Sequence, residues 1–578
     1  MDKKSYCIAW LMLLFVGSLH AQYRTTTYCN PLNLDYTYPF HNSHLGKSYR
    51  SGADPAVVEF RGEYYMFVTR SWGYWHSKDL LNWDFITPEK WYFEGCNAPA
   101  AHNYKDSVLY VCGNPSGAMS ILYTDNPKRG DWKAVPSVLH DLQDPALFID
   151  DDERAYMYWG SSNRWPIRGK ELDMKNKFLP IAKKPDSLLF LRPDIHGWER
   201  FGENHTSDIK PFIEGAWMTK HNGKYYLQYA APGTQFNVYG DGVYVGKSPL
   251  GPFEYAAHNP FCYKPGGFAT GAGHGSTVCG PGGIYWHFGT IHLSINYKFE
   301  RRLCMFPTFF DEDGAMYSDT YFGDYPHYSP DQVSRQTTSG GFRGWMLLSY
   351  GKPVKASSQL ESYLVENVTD ENLKTFWVAE KNDDKQWVEI DLEEVSDVYA
   401  LQLNFFDYEE TGFWGRMPNL RQRYLVEASV DGARWRVLVD YRNSFRDAPH
   451  NYIELDQPIE ARYIRYRHHY VPGKNLAMGD IRVFGLGRGK KPATVKGFTV
   501  VREADERNAR ISWKAVKGAQ GYNVLWGVAL DKLYSSWMVY GDNSLDLRAL
   551  TVGQKYYFAI EAFNENGISQ RVFLREAH

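Results

Sequence analysis

Three carboxylic acids and one histidine head similar short motifs that lie far apart along the chain. The motifs are Asp54-Pro55-Ala56, Ala98-Pro99-Ala100, Asp144-Pro145-Ala146, Glu214-Gly215-Ala216 and His274-Gly275-Ser276. Each motif precedes a strand-like apolar run. One such acid alone is explained by a turn or a strand cap, because Asp-Pro often opens a turn. Acids at the head of three similar motifs predict one site assembled from distant parts of the chain.

Two carboxyl groups on either side of a sugar can hydrolyse a glycosidic bond. One activates a water molecule and the other protonates the leaving oxygen. Glu214 is the better proton donor by sequence, because residues 211–213 and Trp217 are mostly apolar and favour a neutral carboxyl group. Asp54 and Asp144 are then the base and a group that adjusts the pKa values of the other two.

Short β-strands are the elements that must bring these residues together. Residues 50–320 alternate apolar and polar positions in short runs broken by Gly, Pro, Asn and Asp, with almost no helical periodicity. Five runs resemble one another, at 63–67, 107–111, 154–158, 224–228 and 283–287. Five all-β repeats predict a five-bladed propeller, in which the first strand of each blade lies innermost. The motif heads would then converge on one central funnel.

The same stretch resembles glycoside hydrolase family 43, the five-bladed propeller glycosidases of plant-polysaccharide breakdown. The resemblance covers residues 25–325 and is carried by 53–56, by 143–148 with 156–160, and by 213–217 with 225–226. It implies that Asp54 is the general base, Asp144 the residue that adjusts pKa values and orientation, and Glu214 the general acid. It also implies an inverting mechanism, in which acid and base lie about 6.5 to 9.5 Å apart to admit water. No cofactor is implied for catalysis.

The resemblance suggests further contacts to the substrate. His274 resembles a channel histidine that in some relatives binds an ion directly or through water, and a hydrogen-bonded core histidine is the alternative. Arg302 resembles an arginine of the fifth blade that contacts the substrate near the acid, with Arg301 as a second candidate. Residues after the second strands of two blades are candidate sugar contacts, with blade packing as the alternative. They are Trp72, Trp75, Asn163 and Trp165.

The residue pattern of the chain changes after the polar segment 331–341, which predicts a second domain. Residues 345–486 resemble the discoidin, or factor 5/8 C-terminal, β-sandwich, most clearly at 351–358, 370–377, 386–392 and 427–435. Such domains often bind galactose-like sugars through loops at one end. They often hold a structural calcium ion, here near the turn at 370–375, although Asp480 stands where many relatives have Glu.

Two aromatic residues of this second region are candidate glycan contacts. Phe413 and Trp414 lie between glycines, which predicts a loop with exposed rings that binds glycan or leans over the funnel. A purely structural sandwich packed on the propeller is the alternative. The last region, residues 492–578, resembles a fibronectin type III sandwich and is predicted to be a spacer. The predicted fold is therefore all-β, with a five-bladed β-propeller over 22–330 followed by two β-sandwich domains.

Composition and charge exclude several functions. The 578 residues carry a net charge of -3, so no basic face predicts nucleic-acid or lipid binding. Residues 1–21, with two lysines, an apolar run and Ala21, predict a secretory signal. That apolar run is too short to cross a membrane, so the protein is predicted to be exported without membrane insertion. Six cysteines follow the signal, which predicts mostly buried thiols with one or two disulfides.

These features predict an exported, exo-acting, inverting α-L-arabinofuranosidase that acts on a plant-type oligo- or polysaccharide. A β-xylosidase, an exo-galactanase and an endo-arabinanase are alternatives within the family, because three carboxylates define neither ring size nor linkage. A glycan-binding protein without catalysis is an alternative of another class. An adhesin or scaffold built on the two C-terminal domains is another.

Overall fold

The computed structural model describes residues 25–42, 46–90, 93, 96–114, 118–140, 142–182, 184–333, 341–409 and 413–574. The predicted signal segment lies outside these residues. Helical geometry in the described chain is limited to short 3-10 turns, among them Pro127–Arg129, Met174–Asn176, Gly197–Glu199, Glu203–His205, Pro281–Gly283 and Val365–Val368. None of the described helical segments has the length and apolar character to cross a membrane.

Consecutive strands form five antiparallel sheets after an N-terminal segment that contains β1 (Thr27–Tyr28), β2 (Thr37–Asn42) and β3 (Lys47–Ser51). Blade 1 contains β4 (Ala56–Phe60), β5 (Glu63–Phe67), β6 (Tyr74–Ser77) and β7 (Asp84–Ile86). Blade 2 contains β8 (Asn97–Tyr104), β9 (Val108–Asn114), β10 (Ala118–Thr124) and β11 (Lys133–His140). Blade 3 contains β12 (Ala146–Ile149), β13 (Ala155–Trp159), β14 (Ile167–Asp173), β15 (Leu179–Pro180) and β16 (Asp186–Leu189).

The last two blades follow the same order. Blade 4 contains β17 (Glu214–His221), β18 (Lys224–Ala231), β19 (Gly240–Gly246) and β20 (Phe253–Tyr255). Blade 5 contains β21 (Gly271–Cys279), β22 (Tyr285–His292), β23 (Arg301–Phe310) and β24 (Met316–Ser318). The first strand of each blade contacts the first strand of the next, and β21 contacts β4. This closed ring confirms the predicted five-bladed propeller.

Hairpin chemistry in the sequence explains how the first two strands of a blade form. Arg61 and Gly62 join β4 to β5 with φ values of 56° and 77°, and Asn222 and Gly223 join β17 to β18 with 48° and 74°. Two successive positive φ values define a tight turn whose twist matches that of paired strands. Asn-Gly is the preferred sequence for this turn, because both residues accept the left-handed conformation.

The N-terminal segment closes the ring against blade 5. β1 pairs with β25 (His327–Tyr328), which follows the last blade. The Leu32 backbone amide donates to the Leu303 carbonyl at 2.9 Å, and the Asn30 side-chain amide donates to the Met305 carbonyl at 3.0 Å. The two ends of the propeller are thereby held together without exchange of a strand between blades.

The second domain is built on one eight-stranded antiparallel sheet assembly with a buried core of its own. Its strands are β26 (Met346–Leu347), β27 (Val354–Ala356), β28 (Trp377–Val378), β29 (Trp387–Phe405), β30 (Arg423–Ser429), β31 (Arg436–Asp440), β32 (His450–Tyr470) and β33 (Ala477–Leu486). The long strands β29 and β32 carry bulges and alternate buried with partly exposed residues. Such alternation buries one face of a sheet.

The C-terminal region forms two antiparallel sheets. The first contains β34 (Lys496–Arg502), β35 (Ala509–Lys514) and β38 (Ser544–Leu547). The second contains β36 (Gly521–Gly527), β37 (Ser535–Tyr540), β39 (Tyr557–Asn564), β40 (Gly567–Ile568) and β41 (Val572–Leu574). This region packs on the propeller, where the Gly197 amide donates to the Leu550 carbonyl at 2.8 Å and the Arg200 guanidinium donates to Asn508 at 2.6 Å.

Buried charges join the propeller to the second domain. Arg50 pairs with Asp407 and with Asp447, each at 2.7 Å. Arg482 is fully buried, pairs with Glu371 at 2.7 Å and donates to the Asp324 carbonyl of the propeller at 2.6 Å. Leaving one member of such a buried pair without its partner costs about 3–5 kcal/mol. These contacts therefore favour one fixed arrangement of the two domains.

The cysteines follow the sequence prediction in part. Cys29, Cys96, Cys112, Cys262 and Cys304 are buried free thiols, while Cys279 is exposed. None of the cysteines in the described chain forms a disulfide, so the prediction of one or two bridges is wrong there. Mostly apolar surroundings explain the result, because a cysteine packs in a β-sheet core as a small hydrophobic residue.

Candidate active site

The motif regions of all five blades share an unusual backbone conformation. Positive φ values occur at Asp54 (56°), Ala98 (43°), Asp144 (50°), Gly215 (66°) and His274 (49°). For a residue other than glycine the left-handed conformation costs about 1–2 kcal/mol. Its recurrence at the start of each innermost strand marks a repeated kink that the surrounding fold maintains.

Glu214 reaches the site from an offset position. The left-handed residue of blade 4 is Gly215, so Glu214 precedes the position that corresponds to Asp54. A β-bulge between Glu214 and Trp217 accommodates the offset. Glycine is required at 215 because an added Cβ would lie 2.8 Å from Cγ of His274, closer than Cβ contacts occur. The five motif heads are thus nearly, but not fully, equivalent.

Asp54 lies among cationic and hydrogen-bonding groups. One carboxylate oxygen accepts a hydrogen bond from the Thr69 hydroxyl at 2.5 Å. The other lies 3.4 Å from Nδ1 of His274 and 3.5 Å from Nη1 of Arg301. Burial opposes ionisation, but Arg301, His274 and Thr69 outweigh it and hold the pKa of Asp54 below its ordinary value. Asp54 is therefore an ionised carboxylate at neutral pH.

Asp144 and Glu214 form a closely spaced pair of acids. Together with His274 they offer side-chain atoms within 4.8 Å of one another. The Ser161 hydroxyl donates to Oε2 of Glu214 at 3.1 Å and lies near enough to Asp144 to lower the pKa of that acid. Burial, with the charges of Glu214 and Asp54, raises the pKa of Asp144 to about 7 against the effect of His274. Asp144 therefore keeps its proton up to about neutral pH.

His274 lies between the acids. Its Nδ1 is 3.4 Å from Asp54 and 3.9 Å from Asp144. The buried carboxylate of Asp241 accepts hydrogen bonds from the backbone amides of His274 and Gly275 at 2.7 and 2.8 Å, which fixes the kink. Burial would lower the pKa of the imidazole, but the surrounding carboxylates raise it above its ordinary value. The surrounding carboxylates therefore favour the charged form of His274, which offsets their own charge.

The predicted metal-binding role of His274 stays a prediction. Ligand atoms of His274, Asp144 and Glu214 lie within 4.8 Å of one another, a spacing that could hold an ion. A histidine binds a metal through a neutral ring nitrogen, so an ion here would take the place of the proton that the carboxylates favour.

Three hydroxyl groups complete the site and were missed by sequence reasoning. Thr69 and Ser161 each lie two residues after the end of a second strand, and Tyr239 lies immediately before a third strand. Tyr239 donates to Oε1 of Glu214 at 2.7 Å. In an antiparallel blade, the start of the first strand, the end of the second strand and the start of the third strand all lie at the same end of the sheet. That rule, applied to the predicted strands, would have identified these positions.

Arg301, not Arg302, is the arginine of the site. Side chains of neighbouring residues point to opposite faces of a strand, and here Arg301 approaches Asp54 at 3.5 Å. Arg302 points the other way and donates to His450 of the second domain at 2.9 Å. The choice of Arg302 as a substrate contact is therefore corrected, and Arg302 is an interdomain contact.

Comparison with known families agrees with this geometry. The model of Glycosyl hydrolases family 43 matches residues 49–316. The chain contains a family 43 domain. The model of the F5/8 type C domain matches residues 353–478, within the second domain. Family 43 proteins are glycosidases. Asp54, Asp144 and Glu214 all lie inside the matched region.

Characterised relatives share part of the chain. A beta-xylosidase of Xylanibacter ruminicola is 33% identical over 202 residues, 31% of this chain and 57% of that protein. An arabinoxylan arabinofuranohydrolase of Bacillus subtilis is 25% identical over 331 residues, 46% of this chain and 60% of that protein. A non-reducing end alpha-L-arabinofuranosidase of Bacteroides ovatus is 25% identical over 289 residues, 45% of this chain and 50% of that protein. The chain thus spans half to three fifths of these relatives.

The aromatic candidates of blade 1 have different roles. Trp75 is 1% exposed and its indole donates to Asp35 at 2.6 Å, so it packs inside the family 43 domain and cannot stack on a sugar. This corrects its prediction as a substrate contact. Trp72 lies in the loop between β5 and β6, the loop that also carries Thr69. Its ring centroid is 5.4 Å from that of Trp414 of the F5/8 type C domain.

The candidates of blade 3 lie in the corresponding loop. Trp165 is 63% exposed, and its backbone amide donates to the Ser162 hydroxyl at 3.1 Å. Asn163 lies beside it and is partly exposed. Ser161 belongs to the same loop and donates to Glu214, so the loop connects the acid pair to an exposed indole at the surface.

The F5/8 type C domain sends one loop to the propeller. Phe413 packs edge-on against Tyr38, with ring centroids 5.9 Å apart, and serves as an anchor. Trp414 is 47% exposed and donates from its indole nitrogen to the Pro39 carbonyl at 3.1 Å. Of the two residues, Trp414 alone presents a large exposed surface.

Proposed function

We propose that the protein is an inverting glycoside hydrolase whose reaction is carried out by Asp54, Asp144 and Glu214. The observation that carries the proposal is the convergence of three acids from separate blades in unlike environments. Asp54 is held ionised by Arg301, and Asp144 keeps its proton beside Glu214. Pairs of acids with opposite protonation states are what acid–base hydrolysis of a glycosidic bond requires.

The residues act in the following order. Asp54 accepts a proton from a water molecule whose oxygen attacks the anomeric carbon. The bond from that carbon to the glycosidic oxygen breaks, and Glu214 gives its proton to the departing oxygen. Ser161 and Tyr239 orient the Glu214 carboxyl group. After the product leaves, Asp54 gives its extra proton to solvent and Glu214 takes up a proton, which restores both acids for the next turnover.

The pH dependence of kcat/KM should follow from two groups. Asp54 must be charged, so activity falls as the pH drops through its depressed pKa, below the ordinary carboxyl range. Glu214 can donate only while the pair of Asp144 and Glu214 holds a proton, so activity falls as the pH rises through about 7, where Asp144 loses its proton. Arg301→Gln removes the cation beside Asp54 and should move the acidic limb to higher pH while the alkaline limb stays near 7. An acidic limb at the same pH in both proteins would refute this assignment.

We assign the substrate as a glycan with non-reducing-end α-L-arabinofuranosyl groups. Relatives named for arabinofuranosidase and arabinoxylan activity support this choice, and a β-xylosidase among the relatives supports the alternative. Rates of nitrophenol release from the aryl α-L-arabinofuranoside and the aryl β-D-xyloside discriminate between them. Turnover of the xyloside alone would change the assigned sugar to xylose. The absence of turnover on both aryl glycosides and on arabinoxylan would refute the proposed glycosidase activity.

A calcium ion in the F5/8 type C domain is a further part of the proposal. Asp480 is 2% exposed, and its Oδ2 accepts no hydrogen bond from the described residues. Burial, with Glu371 and Asp370 nearby, raises the pKa of Asp480 well above its ordinary value. Glu371 is already paired with Arg482, and the Asp370 oxygens accept from the Asn372 amide and the Thr375 hydroxyl. Oδ2 of Asp480 is therefore the oxygen left for a hard cation, with Asp370 as the nearby second carboxylate.

Calcium should raise the unfolding temperature of the protein, and Asp480→Asn should remove that increase. Asp431→Asn, in an exposed turn of the same domain, is the control and should keep it. An equal response of all three proteins to calcium would contradict the site.

We further propose that the C-terminal region is a fibronectin type III sandwich that braces the propeller. The strand orders β34-β35-β38 and β37-β36-β39-β40 support this assignment, as do its contacts to residues 197–200. We also propose that residues 1–21 are a secretory signal that directs export of the protein. N-terminal sequencing of protein recovered outside the cytoplasm tests it, since a chain that still begins at residue 1 would contradict cleavage.

A further inference from the structure

The loop at 413–416 of the F5/8 type C domain is fastened to the N-terminal segment of the propeller. Tyr38 and Gly415 exchange two backbone hydrogen bonds of 2.9 Å, as in a pair of antiparallel strands. The Arg416 guanidinium donates to the Asp35 carbonyl at 3.0 Å. With the Phe413 anchor, these contacts hold the loop in one position. Trp414 is therefore presented from a rigid support, which a binding side chain needs.

Trp414 packs on the blade 1 loop that also carries Thr69, the hydrogen-bond partner of the base Asp54. Its ring meets Trp72 edge-on, at 5.4 Å between centroids and 87° between planes. Gly415 lets the rings approach, because a Cβ there would lie 3.1 Å from the Trp72 indole. Trp72 is three residues from Thr69, whose hydroxyl bonds to Asp54. Three residues span at most about 10–11 Å, so Trp72, and with it Trp414, lies on the Asp54 side of the funnel.

A second exposed indole lies on the rim of a non-adjacent blade. Trp165 belongs to the blade 3 loop that carries Ser161, the partner of Glu214. The indoles of Trp165 and Trp414 are 63% and 47% exposed. Each has a guanidinium near its ring, Arg168 at 5.3 Å and Arg70 at 5.6 Å. Blade 2 separates the two loops in the ring, so the indoles lie on different sides of the carboxylates.

We propose that Trp414 and Trp165 are stacking platforms for backbone sugars of a neutral pyranose polysaccharide that lies across the funnel mouth. The cleaved sugar would enter the funnel, while sugars beyond the bond rest on the two rings. Indole faces bind the apolar faces of sugar rings. The F5/8 type C domain thereby completes the substrate site of the propeller. This inference rests on the proposed function.

Binding to arabinoxylan tests the platform without turnover. In a Glu214→Gln background, the retardation of the protein in arabinoxylan-containing native gels gives the affinity. Trp414→Ala and Trp414→Leu should each weaken binding about tenfold, while Trp414→Phe keeps most of it because a ring remains. Leucine preserves apolar packing on Trp72, so a loss in that variant reports stacking. Phe445→Ala is the control, since Phe445 is a 76% exposed aromatic residue elsewhere in the same domain.

Turnover provides a second readout. Trp414→Ala in the active protein should lower kcat/KM for arabinoxylan about tenfold more than kcat/KM for the aryl glycoside. Equal losses on both substrates, undiminished binding by Trp414→Leu, or no retardation of the parent protein would each overturn the proposal. Retardation that depends on Trp414 in a protein without hydrolytic activity would uphold the platform and refute the proposed reaction.

Discussion

Replacing Asp54 with asparagine should abolish hydrolysis of every substrate, whatever its leaving group. Asparagine keeps the size of the side chain and its contact with Thr69, but it cannot take a proton from water. We expect kcat/KM to fall by about 10²–10⁴ or more, the usual contribution of a positioned base. Initial rates on an aryl glycoside with an activated leaving group and on arabinoxylan measure this.

The matched control is Asp186→Asn, an exposed aspartate on an outer strand of blade 3. It should keep the parent rate, and all three proteins should show the same far-ultraviolet dichroism. A folded Asp54→Asn protein with at least a tenth of the parent kcat/KM would show that another group activates the water.

Replacing Glu214 with glutamine should produce a loss that depends on the leaving group. A glycan needs a proton on its departing oxygen, so kcat/KM for arabinoxylan should fall by about 10²–10⁴. A dinitrophenyl glycoside leaves without that proton and should lose much less. The glutamine oxygen can still accept from one of the Ser161 and Tyr239 hydroxyls, and its amide nitrogen can donate to the other, so the loss mainly reports the missing proton.

The same comparison separates Glu214 from its neighbour. Asp144→Asn should reduce the rates on both substrates by similar factors, because Asp144 adjusts its neighbours and does not protonate the leaving oxygen directly. A strong dependence on the leaving group in Asp144→Asn, with little in Glu214→Gln, would exchange the roles of the two acids.

The five blades and the three acids could be predicted from sequence because both depend on local patterns. Alternating strands and turn residues mark each hairpin, as at Asn222-Gly223. Each acid lies at the head of a recurring motif. The offset of Glu214 by one residue was not predictable from these patterns, since a β-bulge changes the register without a distinct signal.

Most of the sequence predictions that proved wrong concern the direction of a side chain. Arg301 and Arg302 have the same chemistry, and only the register of β23 decides which one meets Asp54. Trp75 and Trp72 are likewise alike in type, but Trp75 packs between blades while Trp72 meets another domain. Contacts between domains depend on tertiary packing, so the contact of Trp414 with Trp72 could be found only from the structure.

The anomeric configuration of the first product is the most direct test of the site. Asp54, the carboxylate that activates water, lies on blade 1 and Glu214, the proton donor, lies on blade 4, with the sugar between them. Proton NMR of the initial product from an aryl α-L-arabinofuranoside should therefore show β-arabinofuranose before mutarotation. Initial release of the α-anomer would mean that a covalent sugar–enzyme intermediate forms and would contradict the roles of these acids.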